Sequence, residues 1–167
     1  ELPFALVKGE AEAYYSSLSE ALDKAEDGDV IKLMKYCLSH ESFDFKKAIT
    51  FDFNGNCLEQ PSSASINVRN AVTFTDSIGG GKTSYFIGVY YPCTFEGGNY
   101  CGIDICVPLT DLNDFLAPCR AYFNGYGEKL DLSGERTVYE VTVDEGDHSF
   151  GENGKCVNCG STCTHKS

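Results

Sequence analysis

The middle of the chain carries one short phrase three times: Ile49-Thr50-Phe51-Asp52, Val72-Thr73-Phe74-Thr75 and Cys93-Thr94-Phe95-Glu96. Each copy alternates apolar and polar residues, and a glycine-containing turn follows it. The Thr-Phe pair returns after 23 and then 21 residues, and a repeat of this length is typical of a solenoid in which each coil of chain is one repeat. Alternation that ends in a turn predicts a β-strand in every coil. The phrase therefore predicts a parallel β-helix, whose first coil carries the earlier stretch Val30-Ile31-Lys32-Leu33.

Stacked coils would place the phenylalanines of the phrase one above another. We expect Phe51, Phe74 and Phe95 to form an inward-facing ladder, because successive side chains of a strand point to opposite faces. The acids Asp52, Asp76 and Glu96 would then stack on the outside. Such acids usually form a solvated face, and the alternative is a pair of carboxylates of the kind that glycosidases use.

The two ends of the predicted solenoid carry different signals. Residues 2–7 read as an edge strand, since Pro3 cannot donate a ladder hydrogen bond. A helix with a capping box at residues 17–20 would cover the first coil, because a bare strand edge invites pairing with other chains. A second short helix, with Leu112, Phe115 and Leu116 on its apolar side, would cover the last coil. Closing strands follow up to residue 143, so we predict a mainly β domain over 1–143 and an appendage over 144–167.

Composition limits the classes of protein that fit. The chain has 167 residues, 42% of them hydrophobic, which is long enough for one good core. Its formal charge of −12 argues against nucleic acid and anionic membranes, since both require a basic patch. No apolar run approaches the ~18 residues of a membrane-spanning helix, so we expect no membrane insertion. The chain opens on Glu1, and we expect a mature or excised domain.

Nine cysteines are unevenly distributed along the chain. Three of them crowd the last twelve residues, and the other six are dispersed through the body. For the dispersed set, small buried hydrophobic side chains and disulfides are equally good interpretations, and pairing is most plausible from residue 93 onward. The dispersed cysteines are Cys37, Cys57, Cys93, Cys101, Cys106 and Cys119.

The C-terminal appendage lacks apolar periodicity but contains a metal-binding pattern. Cys156 and Cys159, followed by Gly160, have the spacing of a zinc knuckle, in which two thiolates grip one ion from a tight turn. Cys163 and His165 would complete a tetrahedral site, and His148 is a fifth candidate. With four protein ligands the zinc would be structural. The alternative is a disulfide or a redox pair among the same thiols.

Three stretches together resemble a known type of module: residues 17–33, the phrase Ile-Thr-Phe-Asp-Phe-Asn-Gly at 49–55, and Gly-Lys-Cys-Val-Asn-Cys-Gly at 154–160. They are similar to modules of large secreted or wall-attached proteins of Gram-positive gut bacteria. The resemblance implies a right-handed β-helix, an extracellular or cell-surface location, and neighbouring domains in a longer chain. The tail resembles short Cys/His repeats, which usually carry a cysteine two positions before the first histidine, where this chain has Gly146.

These observations predict a non-catalytic surface, spacer or adhesion module with a structural zinc site. The alternative is a β-helix that binds or cleaves polysaccharides. A binding version would expose tyrosines as a stacking surface for glycans, and a cleaving version, a glycoside hydrolase or polysaccharide lyase, would use the stacked acids. Glycans and host or cell-surface proteins are the expected partners. The tyrosines in question are Tyr85, Tyr90, Tyr91 and Tyr100.

Overall fold

A computed structural model of the chain describes residues 1–107, 112–130 and 137–160. The chain is mostly β, and its parallel strands form a β-solenoid of about three turns, so the predicted fold class is confirmed. In chain order the elements are β1 (Phe4–Lys8), β2 (Ala11–Tyr15), α1 (Leu18–Lys24), β3 (Val30–Leu33), β4 (Cys37–Leu38), β5 (Phe43–Phe45), β6 (Thr50–Asp52), β7 (Cys57–Glu59), β8 (Ile66–Val68), β9 (Thr73–Thr75), β10 (Lys82–Val89), β11 (Thr94–Phe95), β12 (Gly98–Ile105), a 3₁₀ helix (Leu112–Phe115), β13 (Arg120–Leu130) and β14 (Thr137–Glu145).

The repeated phrase forms the first face of the solenoid. Strands β3, β6, β9 and β11 lie side by side and parallel, and their register aligns Ile31 with Phe51, Phe51 with Phe74, and Phe74 with Phe95. The three phenylalanines are buried, with ring centroids 6.3 Å apart for Phe51 and Phe74 and 5.6 Å apart for Phe74 and Phe95. The predicted ladder is therefore confirmed. Burying each ring stabilises the fold by roughly 1.5–3 kcal/mol.

Two further faces complete each turn of the solenoid. On the second face β10 pairs with β7 through Lys82 and Thr83, and β7 pairs with β4. On the third face β10 pairs with β8 through residues 87–89, and β8 pairs with β5. A register shift between Thr83 and Phe86 lets one strand serve both faces, since an irregularity of this kind bends a strand.

The corners after the first face depend on acidic side chains, and this corrects one prediction. Asp52 is buried and does not lie on a solvated surface. Its Oδ1 accepts hydrogen bonds from the backbone N–H of Asn54, at 2.8 Å, and of Ser77, at 2.9 Å. Turn amides have no strand partner, and the carboxylate supplies one. Asp52 therefore links the corners of two successive coils.

The N-terminal end differs from the prediction in one respect. Strand β1 is not an edge strand, because it lies between β3 and β2 and pairs antiparallel with both. Gly9, with φ of +60°, allows a tight turn that folds β2 back onto β1, and β2 becomes the edge. The helix α1 is confirmed: Ser17 caps it by accepting the N–H of Glu20 at 3.5 Å. Its inner face is buried against the end of the core.

The C-terminal end is also covered. The second predicted helix is a single 3₁₀ turn that buries Phe115, and Leu116 forms a parallel bridge to Phe95. The hairpin β13–β14 then adds to β12 in antiparallel fashion, which confirms the closing strands. Within the described ranges no helix is both long enough and apolar enough to cross a membrane.

Candidate metal centre

Four potential ligands converge beside the base of the β13–β14 hairpin. Cys119, His148, Cys156 and Cys159 each present one ligand atom, and these atoms all lie within 4.8 Å of one another. Three thiols and an imidazole at such distances could hold a metal ion. One of the four comes from the body of the chain and three come from the tail.

The tail forms the site through two tight turns. The first turn, at residues 151–155, brings Phe150 opposite Cys156 in an antiparallel bridge, with the Gly151 N–H bonded to the Lys155 carbonyl at 2.9 Å. In the second turn the Gly160 N–H donates to the Cys156 carbonyl at 2.9 Å. Gly160 has φ of +77°, which glycine adopts without strain. The tight turn expected after Cys156 is therefore present in the backbone.

Cys119 enters the site because the hairpin closes beside the tail. It lies just before β13 with φ of +59°, and its carbonyl accepts the N–H of Gly146 at 2.7 Å. The main chain of Cys119 is thereby held against Gly146, two residues before His148. The antiparallel register of β13 and β14, which pairs Arg120 with Glu145, creates this proximity between distant parts of the sequence.

Specific contacts orient the four side chains. The Sγ atoms of Cys119 and Cys156 lie 3.3 Å apart, and Cys159 Sγ lies 3.4 Å from Nδ1 of His148. The other ring nitrogen of His148 lies 2.6 Å from Oε1 of Glu145. Metal-bound histidines commonly donate their second N–H to a carboxylate, which fixes the ring and its tautomer. Glu145 is thus placed to leave Nδ1 of His148 available to a metal.

The proton affinities of the group are strongly perturbed. Burial acts to raise the pKa of Cys156, yet hydrogen bonds from the backbone N–H groups of Asn158, Cys159 and Ser149 outweigh it and lower this pKa to about 5. Hydrogen bonds to Cys156 and to Glu145 raise the pKa of His148 to about 9.

Cys119 is perturbed in the opposite direction. Burial and its contact with Cys156 raise the pKa of the Cys119 thiol to about 12. At neutral pH Cys156 is therefore a thiolate and Cys119 a thiol, and metal binding would release the Cys119 proton.

The structure brings together three of the five predicted ligands. His148, Cys156 and Cys159 lie in the cluster, whereas Cys163 and His165 lie outside the described residues. Sequence reasoning missed Cys119, which it counted among the dispersed cysteines. No local spacing links Cys119 to the tail, because it lies 29 residues before His148 and the contact arises from the pairing of β13 with β14.

The dispersed cysteines divide by environment. Cys93 is buried, and burial raises the pKa of its thiol to about 12, as expected for a small hydrophobic side chain of the core. Cys37 and Cys57 are half-buried, and Cys101 is exposed. These four are free thiols.

The tyrosines predicted as a glycan-stacking surface do not form one set. Tyr90 and Tyr91 are exposed, and the Arg69 guanidinium lies 4.5 Å from the Tyr90 ring centroid. Tyr100 is buried in the core, where its hydroxyl donates to the Gly97 carbonyl at 2.6 Å, so its assignment to a binding surface was wrong. The side chain of Tyr85 lies outside the described residues.

Comparisons of the chain with protein-family models, with curated proteins and with solved structures found no match.

Proposed function

We propose that the chain is a non-catalytic surface, spacer or adhesion module of a larger extracellular bacterial protein, and that a structural zinc ion fixes its tail to the solenoid. The observation that carries the proposal is the convergence of Cys119 with His148, Cys156 and Cys159. One ligand lies beside the hairpin and three lie in the tail, so a single bound ion would cross-link the hairpin and the tail.

Zinc fits this group better than calcium or magnesium does. Three thiolates and one imidazole form a soft set, which suits zinc and disfavours calcium or magnesium. Zinc–sulfur bonds of ≈ 2.3 Å in a tetrahedron place sulfur atoms about 3.8 Å apart, so the Cys119–Cys156 separation of 3.3 Å needs only a small expansion. All four positions would be filled by protein. The ion would then have no open position for a substrate, which is the arrangement of a structural site.

The tail also needs a stabiliser of this kind. Of residues 147–160, only Cys156 is buried, so apolar burial contributes little to the order of this segment. In small segments without a core, the free energy of zinc binding is the free energy of folding.

The acids of the corners support a passive role. Both carboxylate oxygens of Asp76 accept backbone N–H groups, from Gly55 and Gly79 on one oxygen and from Gly81 on the other. Asp52 accepts two backbone N–H groups on one of its oxygens, Oδ1. A glycosidase needs a pair of carboxylates that are available to the sugar and roughly 5–10 Å apart. Carboxylates occupied by turn amides are poor candidates for that chemistry, and this favours the scaffold over the polysaccharide-cleaving alternative.

The extracellular setting and the longer parent protein are proposed on the resemblance of residues 17–33, 49–55 and 154–160 to surface-protein modules. Partners in that setting are glycans, host or cell-surface proteins, and the neighbouring domains. Fractionation of the cells that encode the protein, followed by immunoblotting, tests the location. Recovery in the cytoplasmic fraction alone would contradict it.

Metal analysis tests the zinc site directly. We expect about one zinc per chain in protein purified without added metal, and at least a tenfold loss of zinc affinity in Cys159→Ser, because a four-ligand site loses a bond. The matched control is Cys101→Ser, another exposed cysteine, which should keep its zinc. Protein that lacks metal after incubation with zinc, or that carries a disulfide between these thiols, would refute the assignment.

A further inference from the structure

A polar cleft of about 490 Å³ lies at the C-terminal end of the solenoid, on the corner that follows the first face. One wall is the protruding turn after β9, the floor is the turn after β11, and the opposite wall is formed by the start of β13 and the end of β14. Its volume falls in the range of small-molecule sites, roughly 300–1,000 Å³. The metal centre accounts for none of this space, although Arg120 in its wall follows Cys119 directly.

The backbone builds the cleft in a fixed shape. Asp76 holds the protruding turn through its three bonds to backbone N–H groups, and Gly79 and Gly80 in that turn both have positive φ. On the floor, a Cβ at Gly97 would lie 3.0 Å from the Asp76 backbone nitrogen, so a side chain there would force the neighbouring backbone to shift. A ligand could therefore approach the main chain closely.

The walls of the cleft carry both hydrogen-bond donors and hydrogen-bond acceptors. Arg120 is half-buried, and its guanidinium has no hydrogen-bond or ion-pair partner within the described part of the chain. Glu96 accepts the Thr75 hydroxyl with one oxygen at 2.9 Å, and its second oxygen has no donor among the described residues. Asp144 adds a further carboxylate. In a chain of net charge −12, an arginine without a partner beside a cavity is available to a ligand.

These groups restrict the chemistry of the ligand. An apolar molecule would leave the polar walls without partners, at a cost in desolvation. A carboxylate or phosphate would meet Arg120 but would be repelled by Glu96 and Asp144. A divalent cation is disfavoured, since the described acids do not converge: the Cys/His cluster is the only group within the described ranges whose ligand atoms lie close enough. A neutral hydroxyl-rich molecule suits both the arginine and the carboxylates of the cleft, because each hydroxyl can donate to Glu96 and accept from Arg120.

We propose that this cleft binds a short neutral saccharide, with Arg120 as the principal donor and Glu96 as the principal acceptor. The proposal deepens the adhesion role given above and rests on that role for its setting. The lining described here has no aromatic side chain, so binding relies on hydrogen bonds alone, and we expect a dissociation constant of roughly 1–10 mM.

Amide chemical-shift titration tests the proposal on the zinc-loaded protein. The probes are glucose, mannose, N-acetylglucosamine and cellobiose, each added up to about 50 mM to cover the expected affinity range. Calcium chloride and glucuronate are added separately as probes of the competing chemistries. We expect at least one neutral sugar to shift the amides of Gly79, Gly80, Gly97 and Gly98, with little effect elsewhere.

Two variants and one control separate the cleft from other surfaces. Arg120→Met keeps the apolar length of the side chain and should weaken sugar binding at least tenfold. Glu96→Gln should also weaken sugar binding, but less than Arg120→Met does. The control is Tyr90→Ala. Tyr90 lies on the third face, away from the cleft, so this variant should leave sugar binding unchanged. Absence of shifts with all four neutral sugars, shifts with calcium or glucuronate alone, or loss of binding only in Tyr90→Ala would overturn the proposal. Zinc content, measured on the same samples, shows separately whether the proposed metal site has failed.

Discussion

The phenylalanine ladder and the Cys/His cluster hold their parts of the chain by different means. The ladder buries Phe51, Phe74 and Phe95, three residues in the same position of successive coils, within a continuous core. The cluster has one buried residue, Cys156, and depends on four polar groups that meet at a point. The difference teaches that many buried contacts stabilise the solenoid, whereas the tail has little apolar burial and brings its potential ligands to one point.

The first way to break the comparison is to remove a ring from the ladder. Phe74→Ala should lower the free energy of unfolding by about 3–5 kcal/mol, because it deletes a fully buried side chain and leaves a cavity between two neighbouring rings. Phe150→Ala, an exposed ring in the tail, should change it by less than about 1 kcal/mol. Denaturant titration of both variants, followed by tyrosine fluorescence, measures the difference. Equal losses would contradict the division into two regions.

Alkaline pH should weaken the solenoid selectively. Burial raises the pKa of Cys93 to about 12, and it raises that of Tyr100 well above its usual value. The folded state therefore keeps protons that the unfolded state loses, so the stabilisation is complete below pH ~8.5 and is lost as the pH rises toward 12. For Cys93 alone we expect a loss of about 2–3 kcal/mol between pH 8.5 and pH 11.

Denaturant titrations at several pH values check this expectation. Cys93→Ala should reduce the alkaline slope of stability, although it lowers stability at neutral pH by removing a buried atom. The control Cys101→Ala, at an exposed thiol, should leave the slope unchanged. A slope that is the same in Cys93→Ala and in the unmodified chain would count against a buried, protonated thiol.

The tail can be weakened without touching the ladder. Glu145→Gln should lower zinc affinity about 10–100-fold, because the charged partner that orients His148 is lost. The matched control is Glu152→Gln, an exposed acid in the same segment, which should bind zinc as the unmodified chain does. Competition with a chromophoric chelator measures both. The free energy of unfolding of the solenoid should stay unchanged in Glu145→Gln. A loss of solenoid stability in this variant would show that the two regions are not stabilised independently.

The smallest expected effect concerns the second turn of the tail. Gly160→Ala should destabilise the tail by about 1 kcal/mol, since its φ of +77° is unfavourable for a residue with a Cβ and no atom within 4 Å crowds the added group. Hydrogen exchange of residues 147–160 should become severalfold faster, with no change in the amides of β6 and β9. The reference variant is Val157→Ala, at an exposed residue of the same turn whose φ is not positive. Equal exchange in Gly160→Ala and Val157→Ala would show that the turn conformation does not limit the order of the tail.

Much of the solenoid could be predicted because its signals are local and repeated. The alternation in each Thr-Phe phrase, the turns at Asn54 and Gly55, and the cap at Ser17 are all written within a few residues. The errors occurred where a residue's environment comes from another coil. Asp52 is buried where the Ser77 N–H of the next coil gives it a partner, and Tyr100 is buried against the rings of Phe53 and Phe74 from earlier coils.

The amino-acid sequence by itself determined the coiled β architecture, its ladder and the knuckle at Cys156 and Cys159, because strand alternation and turn chemistry act over short distances along the chain. Tertiary structure alone decided that Cys119 joins that knuckle and that Arg120 faces a cleft. Both follow from the antiparallel register of β13 and β14, which brings together residues about 25 positions apart. Pairing across a hairpin depends on the packing of the whole end of the solenoid, and no local pattern in the sequence encodes it.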